Sequence, residues 1–308
     1  MDVVSDAISA VRIGRPTTNR IKVSGTWCTR LSSYDGMGFH VVLEGSCWLL
    51  PEGGAPFTLT AGDAVLLPRG TGHVLADSPA DEYAVAGAVR FEDWQGTECV
   101  QQSSPSAELL CGKYRLDGNG QPHPLLAELP EVVHLPRRPQ SHPELQAAID
   151  LLGREAGSSL PGADVAVPGL LDLLLVYMVR AWTTDPESAA RWPAALTDPV
   201  VAEALRLIHA SPELPWSNEE LATRTGVSRA TLARRFTPLV GSAPMAYLTW
   251  WRMSRAATLL RDTKAPLDTV ARRVGYSSPY ALSHAFSRTF GTTPGRYRTH
   301  SATLTRAS

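Results

Sequence analysis

Near its C-terminal end the chain repeats itself. Phe236, Gly241, Pro244 and Tyr247 return as Phe286, Gly291, Pro294 and Tyr297, each 50 positions later, and the turn Gly226-Val227-Ser228 returns as Gly275-Tyr276-Ser277. Aromatic, glycine and proline positions matched at a fixed offset mean one supersecondary unit used twice. Each copy reads as a helix (218–225; 267–274), a glycine turn and a second helix opened by serine, which is a helix-turn-helix. In the first copy Ser228 is an N-cap, and Leu232, Phe236 and Leu239 follow at i, i+4 and i+7, so they face inward. In the second copy Ser278 caps and Pro279 takes the first helical position, where a missing N–H costs nothing. Leu282, Phe286 and Phe290 form its inward stripe.

The residues left outside carry the functional reading. They are Arg229, Ala230, Ala233 and Arg234 in the first copy, and Tyr280, Ala281, Ser283, His284 and Arg288 in the second. The N-terminal half of the second helix of such a motif enters the major groove, where arginine pairs bidentately with guanine and alanine offers a methyl surface to thymine. Phosphate contacts are expected from Arg255, Arg272, Arg273, Arg296 and Arg298. The competing reading is a merely solvated helix face, and charge weighs against it. Residues 1–196 hold 14 Lys and Arg against 23 Asp and Glu, a net of −9, whereas residues 197–308 hold 15 against 7, a net of +8. A basic third on an acidic body fits a domain that meets a polyanion. Between the copies, Pro244 to Asp262 keeps a helical pattern about 28 Å long at 1.5 Å per residue. Such a rod holds two recognition helices for successive major grooves, about 34 Å apart. Trp250 and Trp251 on it are expected to pack rather than to stack on bases.

At 308 residues the chain is long enough for about two domains. Its first third is punctuated by Gly, Pro and Asp, with strand-like runs at 39–43, 46–50, 57–59, 64–67 and 83–89. From about Pro143 the spacing turns helical: Leu145, Ala148, Ile149, Leu151 and Leu152, then Leu170, Leu171, Leu173, Leu174, Leu175 and Met178. The longest apolar stretch, 170–182, is interrupted by Asp172 and falls short of the roughly 20 residues that span a bilayer. The N-terminus has acids where a secretory leader needs bases, which points to the cytoplasm and away from a membrane. Cys28, Cys47, Cys99 and Cys111 form no CxxC pair, so neither a disulfide framework nor a zinc finger is expected. The resulting expectation is an α+β chain: a cupin-like β-barrel with accessory helices over 1–183, a linker over 184–196, an all-α double helix-turn-helix domain over 197–299 and a tail over 300–308.

Residues 197–299, ending in GTTPGRYR (291–298), resemble the double helix-turn-helix domain of AraC/XylS-family transcription regulators. By position, the resemblance implies base contacts from Ala230, Ala233, Arg234, Tyr280 and His284. In the N-terminal part, DGMGFHVVLEGSCWLL followed by AGDAVLLPRGTGHVL resembles a cupin. Through LLCGKYRLD (109–117) and HPLLAELP (123–130), it resembles the AraC-type regulators with such a domain in front. The resemblance implies double-stranded DNA as partner, RNA polymerase as a further one, and activation. Metal-binding cupin enzymes use an HxH pair, a Glu and a later His. Here the Glu position falls on Gly38 and the HxH region holds Ser32, Ser33 and Tyr34, so no metal, cofactor or enzyme activity is expected. A degenerate barrel is expected to hold a small effector among Trp27, Phe39, His40, Trp48 and His73. Two alternatives stand beside this one. The first is a thiol-redox sensor acting through Cys111, with Cys28 or Cys99 as its partner. The second is a metal-dependent cupin enzyme fused to a DNA-binding domain. The leucine-rich helices of 143–182 suggest a homodimer.

Overall fold

The computed structural model describes residues 3–79, 87–91, 107–116, 123–138, 140–157, 160–185 and 191–306. The chain folds as two compact units, one of Arg15–Leu116 and Leu129–Asp185, the other of Met1–Gly14, Asp117–Glu128 and Pro186–Ser308.

The first unit is built on a curled sheet of nine strands: β1 (Arg12–Val23), β2 (Cys28–Leu31), β3 (Met37–Pro51), β4 (Phe57–Thr60), β5 (Ala64–Leu67), β6 (His73–Ala76), β7 (Val89–Arg90), β8 (Ala107–Leu116) and β9 (Val133–Leu135). The runs expected at 39–43 and 46–50 are one 15-residue strand, β3. Its first half pairs antiparallel with β5 and β8, and its second half with β4 and β6. The register slips between Val42 and Glu44. A bulge of this kind adds a residue and reverses which side chains face inward. Val42 points into the core before it, and Cys47 and Leu49 after it. Of the run expected at 83–89, residues 83–86 lie outside the described residues. The Gly62-Asp63 pair is structural: Asp63 accepts from the amides of Thr60 (2.9 Å) and Arg137 (2.7 Å), tying β9 to the turn before β5.

Helices form in both units, and α1 (Val3–Val11) and α2 (Pro124–Ala127) belong to the second. In the first unit, α3 (Pro143–Glu155) buries Leu145, Ala148, Ile149 and Leu152, while α4 (Ala163–Thr184) buries Leu171, Leu174, Leu175 and Met178. Leu151 and Leu173, expected in the same stripes, are exposed. By length and composition alone α4, at 22 residues, passes for a membrane span. Its spacing of buried residues is that of a core helix, and the buried hydroxyl of Tyr114 on β8 donates to Leu171 O at 2.6 Å.

The second unit adds α5 (Arg191–Thr197), α6 (Pro199–Ala210), α7 (Asn218–Arg224), α8 (Arg229–Val240), α9 (Pro244–Asp262), α10 (Leu267–Arg273), α11 (Pro279–Phe290) and α12 (Pro294–Arg306). Two expectations change here. Part of the segment read as linker is α5, because the Trp192 indole is fully buried and holds the helix against the unit despite its Pro-rich surroundings. The segment read as a tail from residue 300 continues α12. Ser228 caps α8 on Thr231 N and Ser278 caps α11 on Ala281 N, both at 3.1 Å. Gly226 (φ 71°) and Gly275 (φ 79°) make the two turns in the left-handed region that favours glycine. The second turn is one residue longer, which is why the glycines recur after 49 positions and the caps after 50.

Candidate functional site

On α8, Arg229, Ala230, Ala233 and Arg234 are all exposed while Leu232 and Phe236 are buried. Leu239 is only half-buried, and Val240 takes the inward place predicted for it. Arg235, the next basic residue, turns away: its guanidinium donates to Asp198, at 2.6 Å from Nη2, while the other Asp198 oxygen caps α6. On α11, Tyr280 is 83% exposed, His284 and Arg288 are exposed, and Ser283 and Ala281 are half-buried. Phe290, expected in its inward stripe, is likewise half-buried. Tyr280, Ser283, His284, Ser287 and Arg288 line one shallow recess. Ser287 was not singled out by the sequence, although it lies seven residues from Tyr280, one further step along the same helical face.

The supporting arginines divide. Arg273 and Arg296 are exposed, and Arg272 pairs with Asp268 at 3.0 Å. Arg255 lies half-buried with its guanidinium 5.8 Å from the Trp251 ring centroid. Arg298 is a correction, since it donates to the carbonyls of Leu260 (3.3 Å) and Ala265 (2.6 Å). These bonds satisfy a carbonyl in the last turn of α9 and one in the segment just after it, so the side chain serves the fold rather than phosphate. Between the two faces, α9 runs the full 19 residues from Pro244 to Asp262.

A cavity of about 180 Å³ opens inside the first unit. Its floor is His40, His73 and Cys111, and its mouth carries Tyr34, Ser32 and Lys113. Of the five residues expected around an effector, the structure brings His40 and His73 together there. Phe39 points to the other face of β3 and packs on Tyr114 with ring centroids 5.5 Å apart. Trp48 lies beyond the bulge, where the inward parity has reversed, and is half-buried on the outside. Trp27 joins the core but does not reach the cavity wall. Sequence reasoning missed Lys113, two residues past Cys111 on β8, and Tyr34, which stands in the HxH region.

Hydrogen positions on the floor follow from one fixed acceptor. His73 Nδ1 lies 2.9 Å from Thr71 O, and a carbonyl only accepts, so Nδ1 carries a hydrogen. Burial holds both histidines neutral, His73 down to about 4 and His40 well below the ordinary range with His73 adding to the effect. His73 Nε2 is therefore an acceptor, His40 Nε2–H donates to it at 2.7 Å, and His40 Nδ1 is left to accept from Cys111 Sγ–H at 2.9 Å. All four ring nitrogens are engaged. A Cβ on Gly38, where metal cupins place their glutamate, would lie 2.5 Å from the Tyr34 hydroxyl. The tyrosine fills the space of the missing ligand, and among the described residues no three His, Cys, Asp or Glu are grouped to hold a metal ion. The residues present do not fit the cupin metal. Cys28 sits on β2 opposite Ala76, outside the cavity lining, and Cys99 lies outside the described residues. Burial pushes the Cys111 thiol well above its ordinary range, as does Cys47 nearby.

A second buried chain crosses the other unit. The amide of Leu125 donates to His123 Nδ1 at 3.1 Å, so that nitrogen is an acceptor and the hydrogen of neutral His123 is on Nε2. Burial, and then His209 beside it, hold His123 well below the ordinary histidine range. His123 Nε2–H donates to Tyr247 Oη (3.1 Å), Tyr247 Oη–H donates to His209 Nε2 (2.8 Å), and His209 Nδ1–H donates to Asp6 Oδ2 (2.9 Å). Trp251 stacks on His209 with ring centroids 4.1 Å apart, and Trp192 and Trp250 lie against His123.

A cupin family model matches residues 2–184, and a helix-turn-helix domain model matches residues 221–300. A putative AraC-like transcription regulator of Streptomyces antibioticus is 33% identical over 97% of this chain and 99% of its own length. The HTH-type transcriptional regulator AlkR of Acinetobacter baylyi is 28% identical over 98% of this chain and 100% of its own. The RCS-specific HTH-type transcriptional activator RclR of Escherichia coli is 28% identical over 84% and 83%. Among solved structures, the DNA-binding domain of AdpA in complex with a target DNA is 34% identical, covering 36% of this chain and 100% of that one, with a TM-score of 0.34.

Proposed function

Because the chain belongs to the AraC-type transcription regulators with an N-terminal cupin domain, it is a DNA-binding regulator, and we propose that it is a site-specific activator governed by a small molecule held in the cupin cavity. The observation that carries the DNA half is the pair of serine-capped helices that place Ala230, Ala233 and Arg234 at the positions Tyr280, Ser283 and His284 take 50 residues later, with Arg229 exposed on the first helix and Arg288 on the second. Activation is supported by the likeness to RclR, an RCS-specific transcriptional activator. Contact with RNA polymerase and a place in the cytoplasm accompany that reading. A homodimer is supported by Leu151, Leu160, Val165 and Leu173, all exposed on or between α3 and α4. A monomeric hydrodynamic mass at micromolar concentration would remove it.

The cavity that carries the sensing half, about 180 Å³, is close to the 150 Å³ or so that holds a benzene ring, so an effector of about six to ten non-hydrogen atoms fits it. Selection from random duplexes at physiological salt tests the whole reading: two half-sites about one helical turn apart are expected. Arg234→Ala should then weaken specific binding by about 1 to 3 kcal/mol and relax the preference at one base pair. Equal loss on every duplex would place Arg234 on phosphate. Stoichiometric bound iron, manganese or zinc in the purified protein would instead favour a cupin enzyme.

One observation favours thiol sensing as a second reading. Cys111 lines the cavity with a proton acceptor, His40 Nδ1, at 2.9 Å, and His73 orients that base in turn. A nucleophile, a base and an orienting group in sequence are what thiol activation needs. Against it stands the raised thiol, which at rest keeps its proton. A change in DNA binding on mild oxidation, reversed by reductant and absent from Cys111→Ser, would support the thiol reading over the ligand one.

A further inference from the structure

The two helix-turn-helix copies are anchored differently. In the second copy the buried core runs from Met253 to Tyr297, and its members among the described residues, Leu260, Val270, Leu282 and Phe286 included, lie within the stretch from α9 to α12. Tyr297 turns its ring edge-on to Phe286, with centroids 5.3 Å apart and planes at 80°. In the first copy the equivalent tyrosine, Tyr247, also meets its phenylalanine edge-on, with centroids 5.9 Å from Phe236 at 70°. Its hydroxyl is the middle of the chain from His123 to Asp6. Asp6 lies on α1, His123 is the N-cap of α2 and His209 is on α6, and all three fall outside the helix-turn-helix match at 221–300. Asp6 and His123 lie within the stretch matched by the cupin model.

We infer that Asp6 and His123, acting through Tyr247 and its contact with Phe236, are positioning residues for the first recognition helix, and that the second copy holds its own helix without them. Two directional hydrogen bonds at its hydroxyl restrain where the phenol of Tyr247 sits, and its ring lies edge-on against Phe236 of α8. The inference rests on the site-specific DNA-binding reading and adds to it that the two half-sites are controlled unequally. It also means that two segments matched to the cupin domain are working parts of the DNA-binding unit.

The test uses the full chain and a duplex recovered from the random pool, with base pairs changed in one half-site at a time. Arg234→Ala first identifies which half the first copy reads. Asp6→Ala should then lower discrimination in that half at least about fivefold, and leave discrimination in the half read by Tyr280 and His284 within about twofold. Asp6→Asn, whose amide oxygen still accepts from His209 Nδ1–H, should restore it. Equal losses in both halves, or none in either, overturn the inference, as does Asp6→Asn behaving like Asp6→Ala. Should Asp6→Ala not fold, His123→Gln read by the same duplex series and by hydrogen exchange over residues 229–240 decides the matter: unchanged exchange and unchanged discrimination overturn it. Failure to recover any two-part motif from the pool is a separate outcome, which sinks the site-specific reading itself.

Discussion

The cupin unit and the DNA-binding unit each bury a one-way chain of hydrogen bonds through two histidines. In the first, Cys111 donates to His40, His40 to His73, and His73 to a backbone carbonyl. In the second, His123 donates to Tyr247, Tyr247 to His209, and His209 to the carboxyl of Asp6. The first forms the floor of a cavity; the second is walled by Trp192, Trp250 and Trp251. His40 and His73 in the one, and His123 in the other, are all held below the ordinary histidine range by burial, yet their surroundings differ. In the functions proposed above, the chain open to a cavity is a place to bind or react, and the chain walled by tryptophans is a brace.

The contrast can be broken most forcefully in the sealed chain. Tyr247→Phe leaves His209 Nε2 without a donor and His123 Nε2–H without an acceptor, both in the interior, and should cost about 2 to 4 kcal/mol in urea unfolding of the full chain. A loss below about 0.5 kcal/mol would mean that the chain does not form in solution. Acid should act next. His73 keeps its neutral form down to about 4 in the folded protein, whereas an unfolded histidine titrates at its ordinary 6.5. Between those values the unfolded chain binds more protons, so the contribution is complete above pH 6.5 and drains away as pH falls towards 4, reaching about 2 kcal/mol lost at pH 5. His40 and His123, lowered likewise, act with the same sign. A flat stability profile from pH 7 to 5 would contradict the neutral assignment. Cys111→Ala removes a weak donor and a sulfur from the cavity wall and should cost about 1 to 2 kcal/mol, less than Tyr247→Phe, by the same assay. Smallest of all, Thr71→Ala should stay within about 0.5 kcal/mol, because His73 donates to the main chain there and not to the hydroxyl. A larger effect would show that the open chain also ends on a side chain.

Legibility followed the distance over which each feature is encoded. Ser228 and Ser278 as caps, the glycine turns and the rod from Pro244 to Asp262 are written in neighbouring residues, and they form at the positions expected. The outward faces of α8 and α11 follow from helical spacing once Leu232, Phe236, Leu282 and Phe286 are inside. Trp48 was misplaced because one extra residue in β3 reverses the alternation on which a strand reading depends, and a bulge has no clear mark in a single sequence. The same limit hid α5, whose Pro, Asp and Ser neighbours look like connector until Trp192 is seen to be buried.

Periodicity and capping act within a few residues, so the two copies of one helical unit, their serine caps and the exposure of Arg229, Ala230, Ala233, Arg234, Tyr280, His284 and Arg288 are legible in the chain alone. What surrounds His40 and Tyr247 is settled in three dimensions. Their partners come from 33 and 71 positions away in one case and up to 124 in the other, and neither distance leaves any pattern in the chain. Chain closure over such spans is enforced by burial of the whole core, which fixes where distant polar groups meet only after every local choice has been made.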